Sequence, residues 1–283
     1  DFWADIRRHK PNGLVLLGPL AKMMLDQPPS PDDADNPIRT VVMAPVIAEV
    51  DSFCARFDVE VFTTFNMTEI NCPIIREDEV CTSANYKSCG KARDGVEVRI
   101  VDENDIRVPS HTPGEMIVRG EPWELNAGYW NMTDKTLEAW RNGWFHTGDA
   151  FTYDEDGNYY FVDRAKDYIR RRGENISSFE VESIVNEYPA IAECGAAAVP
   201  AEQGEDEVKI AVVLQPGAEF DEAQLIEFLV PRMPRFAIPR YVEIWDALPK
   251  TEATARIQKS KIRESGVSAA TWDRVKAGVK LSG

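Results

Sequence analysis

The sequence predicts an α/β fold in three successive textures: a parallel β-α-β part, a small antiparallel β-barrel and a closing α+β module. Three observations predict it. Two apolar runs, RTVVMAP (39–45) and VEVFTTF (59–65), flank a helix-period stretch, IAEVDSFCARF, and strand–helix–strand order implies parallel pairing. From about residue 96, short β-type runs alternate with Gly, Pro and Asp-Gly turns, the texture of a small barrel or sandwich. Beyond GENI (173–176), helical and strand patterns alternate again.

Taken in order, PPSPDDADNP (28–37) reads as a surface loop, because proline and short polar side chains favour turns over ladders. VEVRIVD, GEMIVRG and YYFVDR are the barrel runs, the last preceded by the turn DEDGN (154–158). A helix is predicted over 178–188, with Ser177 as N-cap and Glu180 three residues on, the spacing of a capping box. Strands follow near 193–199 and 207–215, then a helix over 221–230 and a strand near 241–246. Last comes PKTEATARIQKSKIRE (249–264), in which five of sixteen side chains are cationic although the chain carries a formal charge of −16.

Composition narrows the function. With 283 residues and 43% hydrophobic side chains, the chain can bury a full core. Its acidity argues against nucleic acid as a partner, because the summed field repels phosphate polymers; a small anion in a local basic pocket remains open. GLVLLGPLAKMML (13–25) is too short and interrupted for a membrane span, so a cytoplasmic location is expected. Five widely spaced cysteines without a CxxC pair support neither a disulfide framework nor a zinc site.

Three stretches carry chemistry-bearing residues. FTTFNMTEI (62–70) puts Thr68 and Glu69 directly after a buried strand; ligands bind off strand carboxyl ends in open parallel sheets, so a hydroxyl and a carboxylate there suit a phosphate and its magnesium. Its plain alternative is an N-cap pair. GWFHTGDAF (143–151) leads into Thr147, Gly148 and Asp149, for which a tight turn is the plain alternative. VDRAKDYIRRRGENISSFEVE (162–182) is a cationic run, a turn and a helix; its plain alternative is a solvated surface.

In their order and spacing, and with the basic tail behind them, these stretches resemble the adenylate-forming acyl-CoA synthetase superfamily, which also contains firefly luciferase and the adenylation domains of nonribosomal peptide synthetases. Within it the chain looks like bacterial ligases of the crotonobetaine/carnitine-CoA ligase type. FNMTE stands where the family has Tyr-Gly-x-Thr-Glu. The resemblance therefore implies that Phe65 lies against adenine beside Asn66, which replaces the usual glycine, that Thr68 contacts the α-phosphate and that Glu69 binds Mg2+. It implies that Asp149 of HTGD accepts the ribose hydroxyls, helped by Arg164, and that Lys166 is the hinge of a mobile lid. RRGENIS matches the Gly-Gly-Glu-Asn-Ile element, so Gly173, Glu174 and Asn175 are expected at the CoA tunnel, with Arg172 in place of the first glycine. The VVMAP strand end, Met43 and Ala44, is expected in the acyl pocket.

The basic tail gains a reason from the same resemblance. In this family a lysine after LPKT bridges the substrate carboxylate and the ATP phosphates; aligned on RIQKSKIR, that position holds Arg256, which keeps the charge in a larger planar fork. Lys259 would take the role only after a register slip, and a solvated helical end is the plain alternative. No Ser/Thr/Gly-rich phosphate loop is found in the chain, so residues 1–165 are expected to be the C-terminal part of the large domain (1–82 β-α-β, 83–165 barrel) and 166–283 the lid.

The implied activity is an AMP-forming acid–thiol ligase that uses ATP, Mg2+ and coenzyme A on a small carboxylic acid, with a homodimer as a possible assembly. Three rivals stand beside it: an amino-acid adenylation domain that loads a carrier protein, a luciferase-like oxygenase, and a non-catalytic remnant that binds nucleotide, CoA or a protein. GENISSFEVE disfavours the first, whose usual pattern is Gly-x-Arg-Ile-Glu.

Overall fold

A computed structural model describes residues 2–76, 79–164, 167–171, 174–200, 206–251 and 256–281. The chain divides into two compact units, Asp1–Phe161 and Val162–Gly283. Each has its own sheet and core.

The first unit opens with α1 (Phe2–His9), β1 (Gly13–Leu17), α2 (Gly18–Leu25), β2 (Thr40–Ala44), α3 (Val50–Phe57) and β3 (Glu60–Met67). β1, β2 and β3 pair in parallel, as the strand–helix–strand pattern predicts. Val50, Phe53 and Phe57 recur on one face of α3 and are buried with Val41, Met43 and Val61 of the sheet. Burying side chains of this size stabilises the unit by roughly 1.5–3 kcal/mol each. The 28–37 loop departs from the expectation of a simple surface loop, since Asp33 and Asn36 are buried. Arg56 ion-pairs with Asp33 at 2.7 Å and donates to the carbonyls of Leu25 and Gln27, while the Asn36 amide donates to the Phe57 carbonyl at 2.9 Å. Polar groups without a ladder have found partners on a helix instead.

Antiparallel pairing starts earlier than the texture of the sequence indicates. β4 (Asn71–Arg76) turns back on β3, and β5 (Ser88–Ala92), β6 (Glu97–Val101) and β7 (Gly114–Arg119) follow. After a 3-10 turn at Pro122–Glu124 come α4 (Thr133–Ala139), β8 (Trp140–Arg141), β9 (Trp144–Tyr153) and β10 (Tyr159–Arg164). The hydrogen-bonded order is β1-β2-β3-β4-β5-β10-β9-β7-β6, with β8 on β9, ten strands in all. Ile74, Ile100, Met116, Val118, Phe145 and Phe151 form the core of the antiparallel part. The DEDGN turn forms as predicted: Asp154 accepts from the amides of Asp156 and Asn158, and Gly157 takes φ +80°.

The second unit contains the hairpin β11 (Ile169–Arg171) and β12 (Glu174–Ile176), then α5 (Ser178–Val185), β13 (Ile191–Pro200), β14 (Asp206–Leu214), α6 (Glu222–Leu229), β15 (Tyr241–Ile244), α7 (Lys259–Glu264) and β16 (Trp272–Asp273). Its sheet runs β13-β14-β15-β16. Ser177 caps α5 by accepting from the Glu180 amide at 3.2 Å, and Asp221 caps α6. One face of the sheet packs under α5 and α6 through Val181, Val185, Ile210, Leu225 and Leu229; Ile262 of α7 covers Ala197 and Ala211 on the other.

Candidate active site

β3 changes partners along its length. Residues 60–62 pair in parallel with β2, whereas 63–67 pair antiparallel with β4, so the strand's carboxyl end stands clear of the parallel part. The turn beyond it carries Thr68, exposed, and Glu69, half-buried; Asn71 closes the turn at φ +56°. An open cleft of about 420 Å3 lies here, lined by Asn66, Thr68 and Asn71 on one side and by Trp123, Glu124 and Asn126 on the other. A strand end that opens into a cleft is where an open α/β sheet receives ligands.

The turn is held by a second loop that the sequence reading did not single out. The Asn126 amide donates to the Glu69 carbonyl at 2.8 Å, and the Tyr129 hydroxyl donates to Glu69 Oε1 at 2.8 Å. Burial, reinforced by that carboxylate, pushes the Tyr129 hydroxyl up to about 12. Trp140 fixes Asn126 through its indole N–H, and Arg93 ion-pairs with Glu124 at 2.7 Å. The available signal was the aromatic pair after Gly128, whose φ of +109° marks a special turn.

Phe65 makes an edge contact with Phe151 of β9, ring centroids 4.8 Å apart, which joins the β3 end to the strand that carries Asp149. The TGD element is not a turn. It lies inside the ten-residue strand β9, as a bulge with Gly148 at φ +67°. The Thr147 hydroxyl donates to the Met116 carbonyl at 2.7 Å and receives the Asp149 amide at 3.1 Å, while Glu115 Oε1 accepts the Gly148 amide at 3.0 Å. Asp149 is buried at 2% exposure.

Met43 is fully buried in the α3 core, so its side chain does not face the cleft; Ala44, next along β2, is half-buried. Arg164 ends β10 with an exposed side chain and belongs to the second unit. Lys166 and Gly173 lie outside the described residues, as does Arg172. Glu174 is exposed in β12, with Asn175 next to it in backbone register with Arg170.

In the tail, Lys250 and Ile257 form a β-bridge, and the Thr251 amide donates to the Arg256 carbonyl at 2.9 Å. Arg256 is exposed beside that bridge. Lys259 is not solvated: its ammonium donates to Ser178 Oγ at 2.6 Å and pairs with Glu182 at 3.0 Å, with Asp163 at 4.0 Å. Ser178 in turn donates to Asp163. Burial raises the Glu182 carboxyl, and Lys259 opposes that shift. A lysine so engaged holds α7 against α5.

Comparison with known proteins decides the family. Residues 1–130 match the AMP-binding enzyme family, and residues 180–254 match the AMP-binding enzyme C-terminal domain. This chain belongs to the AMP-binding enzyme family. The crotonobetaine/carnitine–CoA ligase of Proteus mirabilis (strain HI4320) is 32% identical to this chain over 262 residues, 91% of this chain and 50% of the relative. The chain spans about half the length of the curated relatives it matches. ATP-bound MatB from Rhodopseudomonas palustris superposes with a TM-score of 0.73 at 28% identity, over 92% of this chain and 52% of that one. The o-succinylbenzoate coenzyme A synthetase of Bacillus subtilis, solved with AMP, superposes at 0.78 and 24% identity, over 93% of this chain and 53% of that one, which speaks for the fold alone. Among the described residues, no helix of this chain is long and apolar enough to cross a membrane.

Proposed function

We propose that the protein is an AMP-forming acid–thiol ligase that activates a small carboxylic acid with ATP and passes the acyl group to coenzyme A. The observation that supports this best is the Thr68–Glu69 turn at the carboxyl end of β3, its carboxylate held by Tyr129 and its strand joined through Phe65 to the strand of Asp149. In this reading Phe65 meets adenine beside Asn66, Asp149 accepts the ribose hydroxyls, Arg164 donates to the ribose, and Thr68 faces the α-phosphate. Glu69, a half-buried carboxylate next in sequence to the cleft-lining Thr68, fits Mg2+, which is usually held by one or two carboxylates together with substrate phosphates. The cation would neutralise charge on those phosphates.

A carboxylate oxygen attacks the α-phosphorus and the bond to the β-phosphate oxygen breaks, giving acyl-AMP and pyrophosphate. Arg256 supplies positive charge between the two anions forced together at this step. The CoA sulfur then attacks the acyl carbon and AMP leaves, while the second unit turns about Lys166 to present Gly173, Glu174 and Asn175. Ala44, at the end of β2, is assigned to the acyl pocket, and Met43 sets the packing beneath it. Catalysis is placed in the cytoplasm, and a homodimer is checked by light scattering.

Acid-dependent exchange of pyrophosphate into ATP, followed by thioester formation with free CoA, tests the reading. Arg256, where the family has lysine, favours a second one: a nucleotide- or CoA-binding protein without chemistry. Absence of exchange across a broad acid panel, from both the wild type and Arg256→Lys, would replace the first reading by the second. Exchange without thioester from CoA would point to a carrier-protein acceptor instead.

A further inference from the structure

We propose that Glu115 is a positioning residue for Asp149, acting through the backbone amide of Gly148. This rests on the reading of Asp149 as the group that accepts the ribose hydroxyls. In the β7–β9 register Ile117 faces His146 and Glu115 faces Ala150, so Thr147, Gly148 and Asp149 all stand opposite Met116 alone. A bulge of this size leaves backbone groups outside the ladder, and each needs a partner. Thr147 takes the Asp149 amide, and the Glu115 carboxylate takes the Gly148 amide at 3.0 Å. The two successive peptide links that lead into Asp149 are therefore each held, the first by Glu115 and the second by Thr147.

Glu115 is itself held. Its side chain is 21% exposed, and its other oxygen lies 3.0 Å from His146 Nδ1 and 3.5 Å from Arg141 Nη2. His146 is buried, and Asp105 approaches its far nitrogen at 3.7 Å. Glu115 thus spends one oxygen on the bulge and one on the group that fixes its own rotamer. Such a supporting residue sets where Asp149 stands without any need to meet the nucleotide, and small displacements of a positioned group are costly in binding.

The test compares ATP with 2′,3′-dideoxy-ATP by calorimetry, because the two differ in the ribose hydroxyls that Asp149 is read to accept. The wild type is expected to prefer ATP, and Asp149→Ala to lose that preference. Glu115→Ala is expected to lose about tenfold of it with an unchanged near-UV spectrum, whereas Glu115→Gln, whose amide oxygen still accepts the Gly148 N–H, keeps it. Should Glu115→Ala not fold, Glu115→Asp, one methylene short of the amide, carries the same expected loss. If Asp149→Ala loses the preference and Glu115→Ala keeps it, or if Glu115→Gln loses as much as Glu115→Ala, the positioning role is overturned while the nucleotide reading stands. If neither the wild type nor Asp149→Ala discriminates the two nucleotides, the nucleotide reading falls and this role with it.

Discussion

Tyr129 gives its phenolic hydrogen to Glu69 at 2.8 Å, binding the loop before α4 to the turn after β3. Tyr129→Phe removes the only hydroxyl of the pair and should lower stability by about 1 kcal/mol. A phenol raised to about 12 by folding contributes fully below its ordinary value near 10 and loses that contribution as pH climbs through the folded value. The Tm gap between wild type and Tyr129→Phe should therefore be flat up to roughly pH 9 and close between about 10 and 12. A gap that widens with alkali would contradict the assignment.

Lys259→Ala strips the buried carboxylates Glu182 and Asp163 of their cation. Removing one partner of such a cluster costs about 3–5 kcal/mol, measured by urea unfolding. Burial raises Glu182 above the ordinary carboxylate range, so its ionised form opposes folding and protonation relieves it. The loss should thus be larger at pH 8 than at pH 5. Equal losses at both values would place the cost elsewhere.

Arg256 is exposed and meets Thr251 through its backbone amide and carbonyl, so Arg256→Lys and Arg256→Ala should leave the melting temperature unchanged. In pyrophosphate exchange the alanine variant is expected to fall by roughly a hundredfold, the loss of one transition-state donor, and the lysine variant to exceed the wild type. Alanine at wild-type rate would remove Arg256 from the chemistry.

Gly148→Ala isolates backbone strain. A Cβ there meets nothing within 4 Å, yet φ is +67°. The cost should be about 1–2 kcal/mol, from the left-handed conformation alone, read as a lower Tm. An unchanged Tm would mean that the bulge relaxes.

The elements whose information is local were legible. Val50, Phe53 and Phe57 announce α3 by their spacing, and Ser177 with Glu180 announces the start of α5, because helix faces and caps are written within a few residues. β4 was missed because NCPIIR is short and carries Pro73, and β9 because Gly148 reads as a turn when its partner strand is not in view. The site divides the same way. Thr68 and Glu69 at a strand end could be picked out, and the strand, its change of partners and the cleft are where an α/β sheet would put them. The groups that hold the turn and the bulge could not. Tyr129 reaches Glu69 across 60 residues, and Glu115 reaches Gly148 across 33; such pairs have no period to betray them. The burial of Lys259 was equally hidden, since its charge looked like one more of a solvated run until Ser178 and Glu182 closed around it.

Lys259 stands two residues beyond the bridge at Ile257, and its ammonium is locked into the first turns of α5. Arg256 therefore stands three residues from the point at which α7 is moored to the helix that packs on the four-stranded sheet.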